Sequence, residues 1–464
     1  MTPNYQRQGG VVAISGDFFP FSTATTSITN SALHAKTKTK KKKKKGGSSS
    51  SSTGLKGFGS STKSSNTNKI SIQLDKSQKA MEFYSFLENS NAGSNLKRVA
   101  LGFFPIEGSA TDEKDSDDNN DVPTESTPFL LRGVVALQKI KKGDIIIEIP
   151  YEAAWNLGRE SSDPTLPGSI VLQEYCKWLS NNDKKSNNDS TPTTTNDAGR
   201  DFGPYFQMLP SFNSFDVLSS TDFFSDEALD MLQSPQIKEE TLSRREKSQF
   251  RFERDVEPMM EISSNLYRWM EGEKVALEHL QWAVWLVTSR VLTVQGEAGT
   301  DEKFRLMIPL IDMCNHDRDS PHVLTGRAVP GGTLKVIAGK AVDIGEQVNI
   351  VYGGGFIGND RFIQDYGFLD SFCQGKADEI TAKILMGKAR IVEGAGARNG
   401  RPTLMPEDER ARALDAIAET TLEEDQSLLM ANGESMNHDV RSALEYRIGI
   451  KKALKKLGHG LVLE

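Results

Sequence analysis

Four short segments place groups able to bind and orient a ligand where an inert core would need none. Arg290 ends the apolar run WAVWLVTSR (282–290). A guanidinium inside protein is costly without a counter-charge, so Arg290 must meet an acid of the chain or a bound carboxylate. MIPLIDMCNHD (307–317) passes from apolar to densely polar, and the end of a rigid strand is where sites are commonly built. Asn315 and His316 there offer amide, imidazole and backbone hydrogen bonds, which suit a purine edge and equally suit a turn. Tyr352-Gly353-Gly354, followed fourteen residues after Tyr352 by Tyr366-Gly367-Phe368, sets two tyrosines beside glycines. Both tyrosines also fit a core with satisfied hydroxyls. In Leu131-Arg132-Gly133-Val134 the glycine would let a ligand approach the backbone closely.

These groups need elements to hold them. Strand-like apolar stretches flank a Lys-Lys-Gly-Asp turn in 131–150, which predicts a hairpin. Further strands are expected at Phe304–Ile311, Thr333–Ala338 and Glu346–Val351, with Val348, Ile350 and Tyr352 on one face. Ser225–Val294 reads as helical, and Val275–Val294 is apolar on nearly every side, which predicts a helix buried in protein. After Phe372 the pattern is helical again. Val440, Ala443, Leu444, Ile448, Leu454 and Leu457 form its apolar side, with Arg441, Lys451, Lys452, Lys455 and Lys456 on an opposite, solvated face.

Length and composition set limits. At roughly 150 residues per domain, the 464 residues give two or three domains, yet only 37% are hydrophobic. Charge is uneven: Met1–Ile70 carries net +11 and the rest −18. The run Lys40–Lys45 and the Gly/Ser tract after it oppose packing, so 1–70 is expected to be a disordered basic arm, either a plain low-complexity segment or an organelle or nuclear address. Ser109–Pro128 and Asn181–Asp201 read as solvated loops. Cys176, Cys314 and Cys373 are too far apart for a disulfide scaffold or a structural metal, and no apolar run is long enough to span a bilayer.

Taken in chain order, these segments resemble the SET-domain protein methyltransferases, specifically the split-SET class typified by the Rubisco large-subunit lysine methyltransferase. The likeness rests on RGVVALQKIKKGDIIIEIP, PYFQMLPSF (204–212), WAVWLVTSRVL, IPLIDMCNHD and GEQVNIVYGGGFIGNDRFIQDYGFLD, and extends into a helical tail with TTLEEDQSLL and ALEYRIGIKKAL. It implies an α+β fold: a SET-type β-fold split by a helical insert, then a helical C-terminal substrate-binding domain. The implied divisions are 1–70, the arm; 71–372, the catalytic domain; and 373–464, the substrate-binding domain. Within the catalytic domain the N-terminal part covers about 97–155 with the loop 109–128, the insert about 156–288 with the loop 181–201, and the C-terminal part about 289–372.

The resemblance also implies roles. Arg290 would hold the carboxylate of S-adenosylmethionine, Asn315 and His316 its adenosine part, and Phe368 the adenine ring, with backbone contacts from Arg132, Gly133 and Val134. Tyr352 corresponds to the catalytic tyrosine, and Ser289, Asp312 and Tyr366 to groups around a target lysine amine. The partner implied is a non-histone protein substrate, without structural metal or membrane, and with nucleic acid touched at most nonspecifically by Lys40–Lys45. Three departures stand out. Leu131 replaces a glycine frequent in the family, the cysteine-rich zinc tail of histone-directed members is absent, and the helical tail is short. The alternatives are a histidine methyltransferase of the related actin-directed branch, which Tyr366 disfavours, and a catalytically silent SET fold. The compartment stays open between plastid, cytoplasm and nucleus.

Overall fold

The computed structural model describes residues 73–105, 130–186, 201–214, 219–262, 267–270, 273–370, 375–391, 403–433 and 435–459. The basic arm, the acidic loop Ser109–Pro128, positions 187–200 of the second predicted loop, and Cys373 lie outside them. Asn181–Ser186, read as loop, instead continue a helix.

Among the described residues, ten short strands make three antiparallel sheets. In the first, β1 (Gln73–Leu74), β2 (Val99–Pro105), β3 (Leu130–Ala136) and β10 (Gln347–Val348) lie in that order; β4 (Ile145–Pro150), β9 (Thr333–Ile337) and β8 (Val323–Gly326) form the second; β5 (Trp155–Arg159), β7 (Lys303–Met307) and β6 (Leu292–Gln295) the third. The predicted hairpin within 131–150 is therefore wrong. Its two strands exist, but β3 pairs with β2 and β10, opposing Gly133 to Gly102 and Val134 to Val348, while β4 pairs with β9. Both are apolar enough to be covered on two faces, and each finds its partners far along the chain rather than across the turn.

α1 (Gln78–Asn89) precedes β2, and between β5 and β6 the insert supplies α2 (Thr165–Ser186), α3 (Asp226–Met231), α4 (Pro235–Arg251) and α5 (Leu277–Arg290). The apolar run around Trp282 and Trp285 does form a buried helix, with both indoles in the main core. It is shorter than predicted: at Val291 the backbone turns extended, and Leu292–Gln295 is strand β6. α2 crosses α5 closely at Gly168, where a Cβ would stand 2.7 Å from Val284 Cγ2. Likewise β7 stops at Met307, before Pro309, instead of reaching Ile311.

After β10, α6 (Lys376–Leu385), α7 (Glu407–Ile417), α8 (Leu422–Asn432) and α9 (His438–Lys456) form the helical tail. It shares an apolar core with the insert: Phe224, Leu229 and Ile237 join Ala382, Ala443, Tyr446, Ile450 and Leu454. Lys451 is not on a solvated face. It is 1% exposed, and its ammonium donates to Asp425 Oδ2 at 2.6 Å and to Thr420 Oγ1 at 2.7 Å. Arg447 meets the same carboxylate with two nitrogens, at 2.9 and 2.5 Å. Helical periodicity could not show this, because the counter-charge comes from α8 and not from α9. Removing one partner of a buried ionic cluster strands the others, at about 3–5 kcal/mol. Asp425→Ala should lose about that much stability in urea unfolding; a loss below about 1 kcal/mol would show the cluster to be weakly held.

Candidate active site

The site is organised along a seam between two segments remote in sequence. Past β7 the chain turns at Leu310, whose φ of 73° is unusual for a bulky residue and costs about 1–3 kcal/mol. A single 3-10 turn, Ile311–Met313, then points Asp312 inward and sends Cys314 to His316 along the segment that follows β10. His316 and Ile350 form a parallel bridge. Ile350 N donates to Asn315 O at 2.9 Å, and Asp317 N to Ile350 O at 3.0 Å. Tyr352 then closes the seam twice: its amide donates to His316 Nδ1 at 3.1 Å and its hydroxyl to the Cys314 carbonyl at 2.7 Å. The imidazole accepts at Nδ1, which puts the proton of a neutral ring on Nε2, 3.5 Å from Asp370 Oδ2. Asp370 also takes Arg318 Nε at 2.7 Å; burial would raise its pKa, but these hydrogen bonds hold it below the usual carboxylate range.

On one side of the seam lie the residues expected to hold a cofactor. Asn315 Nδ2 donates to Arg132 O at 3.1 Å, tying the seam to β3. At Gly133 a Cβ would fall 2.6 Å from both Asn315 Nδ2 and Gln347 Nε2, so only glycine leaves these amides in place. Val134 is buried in the core, which leaves only its backbone to meet a ligand. The Arg132 guanidinium is engaged with the Met208 carbonyl of the insert. Phe368 is 38% exposed, at 6.3 Å from His316 and 5.2 Å from Phe362 between ring centres. Arg290 donates from Nη1 to Asp312 O at 3.0 Å, yet its buried Nε has no partner, and neither has the buried Gln347 Nε2.

On the other side Tyr352 and Tyr366 stack, 5.0 Å apart and 28° off parallel. Burial pushes the Tyr352 phenol well above its ordinary range, so it stays protonated at any physiological pH. Ser289 Oγ donates back to Trp285 O at 2.8 Å. Asp312 is enclosed rather than open: its side chain is fully buried, with Oδ2 receiving the Tyr205 hydroxyl at 2.5 Å and standing 3.9 Å from Arg290 Nη1. Burial raises its pKa to about 6, against the opposing pull of Arg290 and Tyr205.

The structure thus brings together Arg132, Gly133, Val134, Arg290, Asp312, Asn315, His316, Tyr352, Tyr366 and Phe368, with Ser289 on the last turn of α5 beside Arg290. Sequence reasoning missed Tyr205, Gln347, Arg318 and Asp370 as parts of the site. Tyr205 lies within PYFQMLPSF, but no local pattern links it to Asp312. Among the described residues no cluster of three or more His, Cys, Asp or Glu could hold a metal ion, and no helix is long and apolar enough to cross a membrane. A surface cleft of about 530 Å³ on the insert, lined by Asp163, Phe250 and Arg251 among others, shares none of these residues. Its Arg251 is held by Asp163 at 2.9 Å and by Asp255 at 2.7 Å.

Against known proteins, residues 131–353 match the SET domain family model, a span that begins at β3 and ends just past Tyr352. The chain carries a SET domain of α+β architecture, with strands divided by a helical insert and followed by a helical tail. It is 23% identical over 236 residues to the ribosomal lysine N-methyltransferase set11 of Schizosaccharomyces pombe, covering 51% of this chain, and spans about half, 53%, of that relative's length. Solved structures of similar shape include the SET domain of LSMT bound to lysine and AdoHcy (16% identity, 84% of this chain and 92% of that one, TM-score 0.47). Another is Rubisco LSMT bound to AdoMet (16% identity, 83% and 90%, TM-score 0.46).

The enclosed Asp312 makes a pH prediction. Its folded pKa lies above the unfolded value, so the folded state binds the proton more tightly and loses stability as pH rises from about 4 through about 6. Asp312→Asn removes that ionisation. In thermal melts without ligand, its melting temperature relative to wild type should be higher at pH 8 than at pH 5; an equal difference at both would contradict the enclosure.

Proposed function

We propose that the chain is an S-adenosylmethionine-dependent protein-lysine N-methyltransferase acting on a non-histone protein. The observation that carries this reading is the double closure of Tyr352 onto Cys314 and His316, which holds a target-side hydroxyl and a cofactor-side imidazole in one unit. The SET domain match and the lysine methyltransferase relative support it.

The residues fit the cofactor. Arg290 has a buried nitrogen free to meet a carboxylate in a charge-assisted bond. Asn315 and His316 would hold the adenosine, Phe368 offers an exposed ring face to adenine, and the Arg132–Val134 backbone runs past the close approach that Gly133 permits. When bound, S-adenosylmethionine would supply an electrophilic methyl group on a sulfonium. The chain's task is then to present a neutral amine in line. Free lysine has a pKa of about 10.4, and an apolar channel walled by Tyr352 and Tyr366 disfavours its ammonium. The Tyr352 proton is committed to Cys314 O, so the phenol oxygen is an acceptor for an amine N–H and a fixed dipole near the transferring carbon. It is no phenolate, and its raised pKa argues against proton removal by this residue. Asp312, behind Arg290 and capped by Tyr205, would act through its charge rather than by touching the amine. Alignment of this kind is worth roughly 7 kcal/mol or more in favourable models.

The test is incubation of the purified protein with labelled S-adenosylmethionine and cell extract, with modified residues mapped by mass spectrometry. Labelled lysine in a non-histone protein is expected; folded protein that neither binds the cofactor nor labels any protein would refute the reading, and labelled histidine would move it to the actin-directed branch. Tyr352→Phe should cut kcat by about 10²–10³-fold, with cofactor affinity unchanged. Arg290→Ala should weaken cofactor binding by about ten- to hundredfold, the worth of one hydrogen bond to a charged group. Loss of both properties in Tyr352→Phe would make Tyr352 structural.

A further inference from the structure

Tyr366 ends an unusual turn. Phe362–Tyr366 is a π-helical turn closed by Gly367 N donating to Phe362 O at 3.0 Å, with Gly367 at a φ of 79°. Such widened turns leave carbonyls without their ordinary helical donors and recur at functional sites. At this helix end the Gln364 carbonyl takes its donor from the insert: Arg244 Nη2, at 3.0 Å. The same guanidinium reaches Asp365 Oδ1 with Nη1 at 2.8 Å and Asp222 Oδ1 with Nε at 2.8 Å. A reciprocal contact runs the other way. Arg361, one turn before Asp365, donates to Asp365 Oδ2 and also to Glu240 Oε2 at 2.9 Å. Glu240 and Arg244 stand four residues apart on α4, and Arg361 and Asp365 four apart on the opposing turn, so two faces with the same spacing interlock.

Arg244 is buried, and the Asp365 carboxylate it holds and the Arg361 guanidinium on that carboxylate's other oxygen are largely excluded from water. Burial alone would raise the Asp365 pKa, but Arg361 and Arg244 hold it below the usual carboxylate range, so the carboxylate stays charged and the fork stays closed. The residue after Asp365 is Tyr366, whose ring lies on Tyr352. A planar guanidinium with three bonded nitrogens fixes direction as well as distance, which an ammonium cannot do.

We propose that Arg244 is a positioning residue for the target channel: by clamping the π-turn at Gln364 O and Asp365 it fixes Tyr366 against Tyr352 and so sets both the alignment of the target amine and the number of methyl groups it can accept. This rests on the proposed function, in which the two tyrosines wall that channel. The insert is then part of the catalytic geometry.

The test compares wild type with Arg244→Gln and Arg244→Lys by two independent readouts. Amide hydrogen exchange followed by mass spectrometry needs no substrate. In Arg244→Gln the peptide covering 359–370 should exchange at least about tenfold faster while peptides of β2 and β3 keep their protection, a local opening rather than a global one. In the transfer assay kcat should fall by roughly ten- to hundredfold, the size expected of a small misalignment, with the cofactor dissociation constant unchanged and the product mix shifted toward more highly methylated lysine. Arg244→Lys, which keeps the charge but loses the fork, should fall between. If Arg244→Gln does not fold, Asp365→Asn, which leaves Arg244 paired with Asp222, must give the same local pattern. Unchanged exchange at 359–370 in a folded variant overturns the clamp. Faster exchange with unchanged kcat and product mix overturns its role in positioning. Wild-type protein that transfers no methyl group, together with local loosening in the variant, would instead refute the proposed function and leave the clamp standing.

Discussion

The rest of the site depends on the parallel alignment of Cys314–Asp317 with Asn349–Tyr352. Two backbone hydrogen bonds set its register, and the two bonds made by Tyr352 lock it. A shift of one residue would turn the Tyr352 hydroxyl away from Cys314 O and its amide away from the imidazole, breaking both sides of the site at once. The strain at Leu310 is bearable because its side chain and those of Ile308 and Ile311 are fully buried, so packing determines a backbone conformation the residue would not choose alone. Arg318 extends the lock beyond Tyr352, donating to Gly355 O at 3.0 Å and Ile357 O at 2.9 Å, which fixes a loop whose three consecutive glycines all have positive φ.

Around this seam the helical insert supplies charge and constraint at two points. Tyr205 caps the buried Asp312 from one direction, and Arg244 holds the turn that carries Tyr366 from another. Both contacts are buried, where electrostatic interactions are strong and an unpaired group is expensive. The insert in turn packs against the helical tail through Phe224, Leu229 and Ile237. A disturbance in the tail therefore has a physical route to the site through the insert, by way of α3 and α4.

Much of this was legible in the sequence because it is local. Arg290 at the end of an apolar helix, the polar terminus after Ile308, and the two tyrosines beside glycines were all visible as residue types in context, and the resemblance then grouped them. What was not legible is non-local pairing. The stretch 131–150 shows two good strands, but nothing in it says that their partners are β10 and β9 rather than each other. Helical spacing put Lys451 among solvated lysines, and only the three-dimensional arrival of Asp425 and Thr420 explains its burial. Tyr205 and Arg244 failed to stand out for the same reason: each acts on an acid more than a hundred residues away. A turn in the left-handed region at a leucine is likewise invisible, since sequence reasoning looks for glycine there.

The central claim is that one seam holds a cofactor on one side and a target amine on the other. A crystal structure of the chain grown with S-adenosylhomocysteine and a lysine peptide tests it most directly. The account predicts the cofactor carboxylate at Arg290 Nε, the adenine beside His316 and Phe368, and the lysine amine at the Tyr352 hydroxyl oxygen beside Tyr366. Cofactor bound in the cleft beside Phe250, or at the seam but on the tyrosine side of His316, would contradict it.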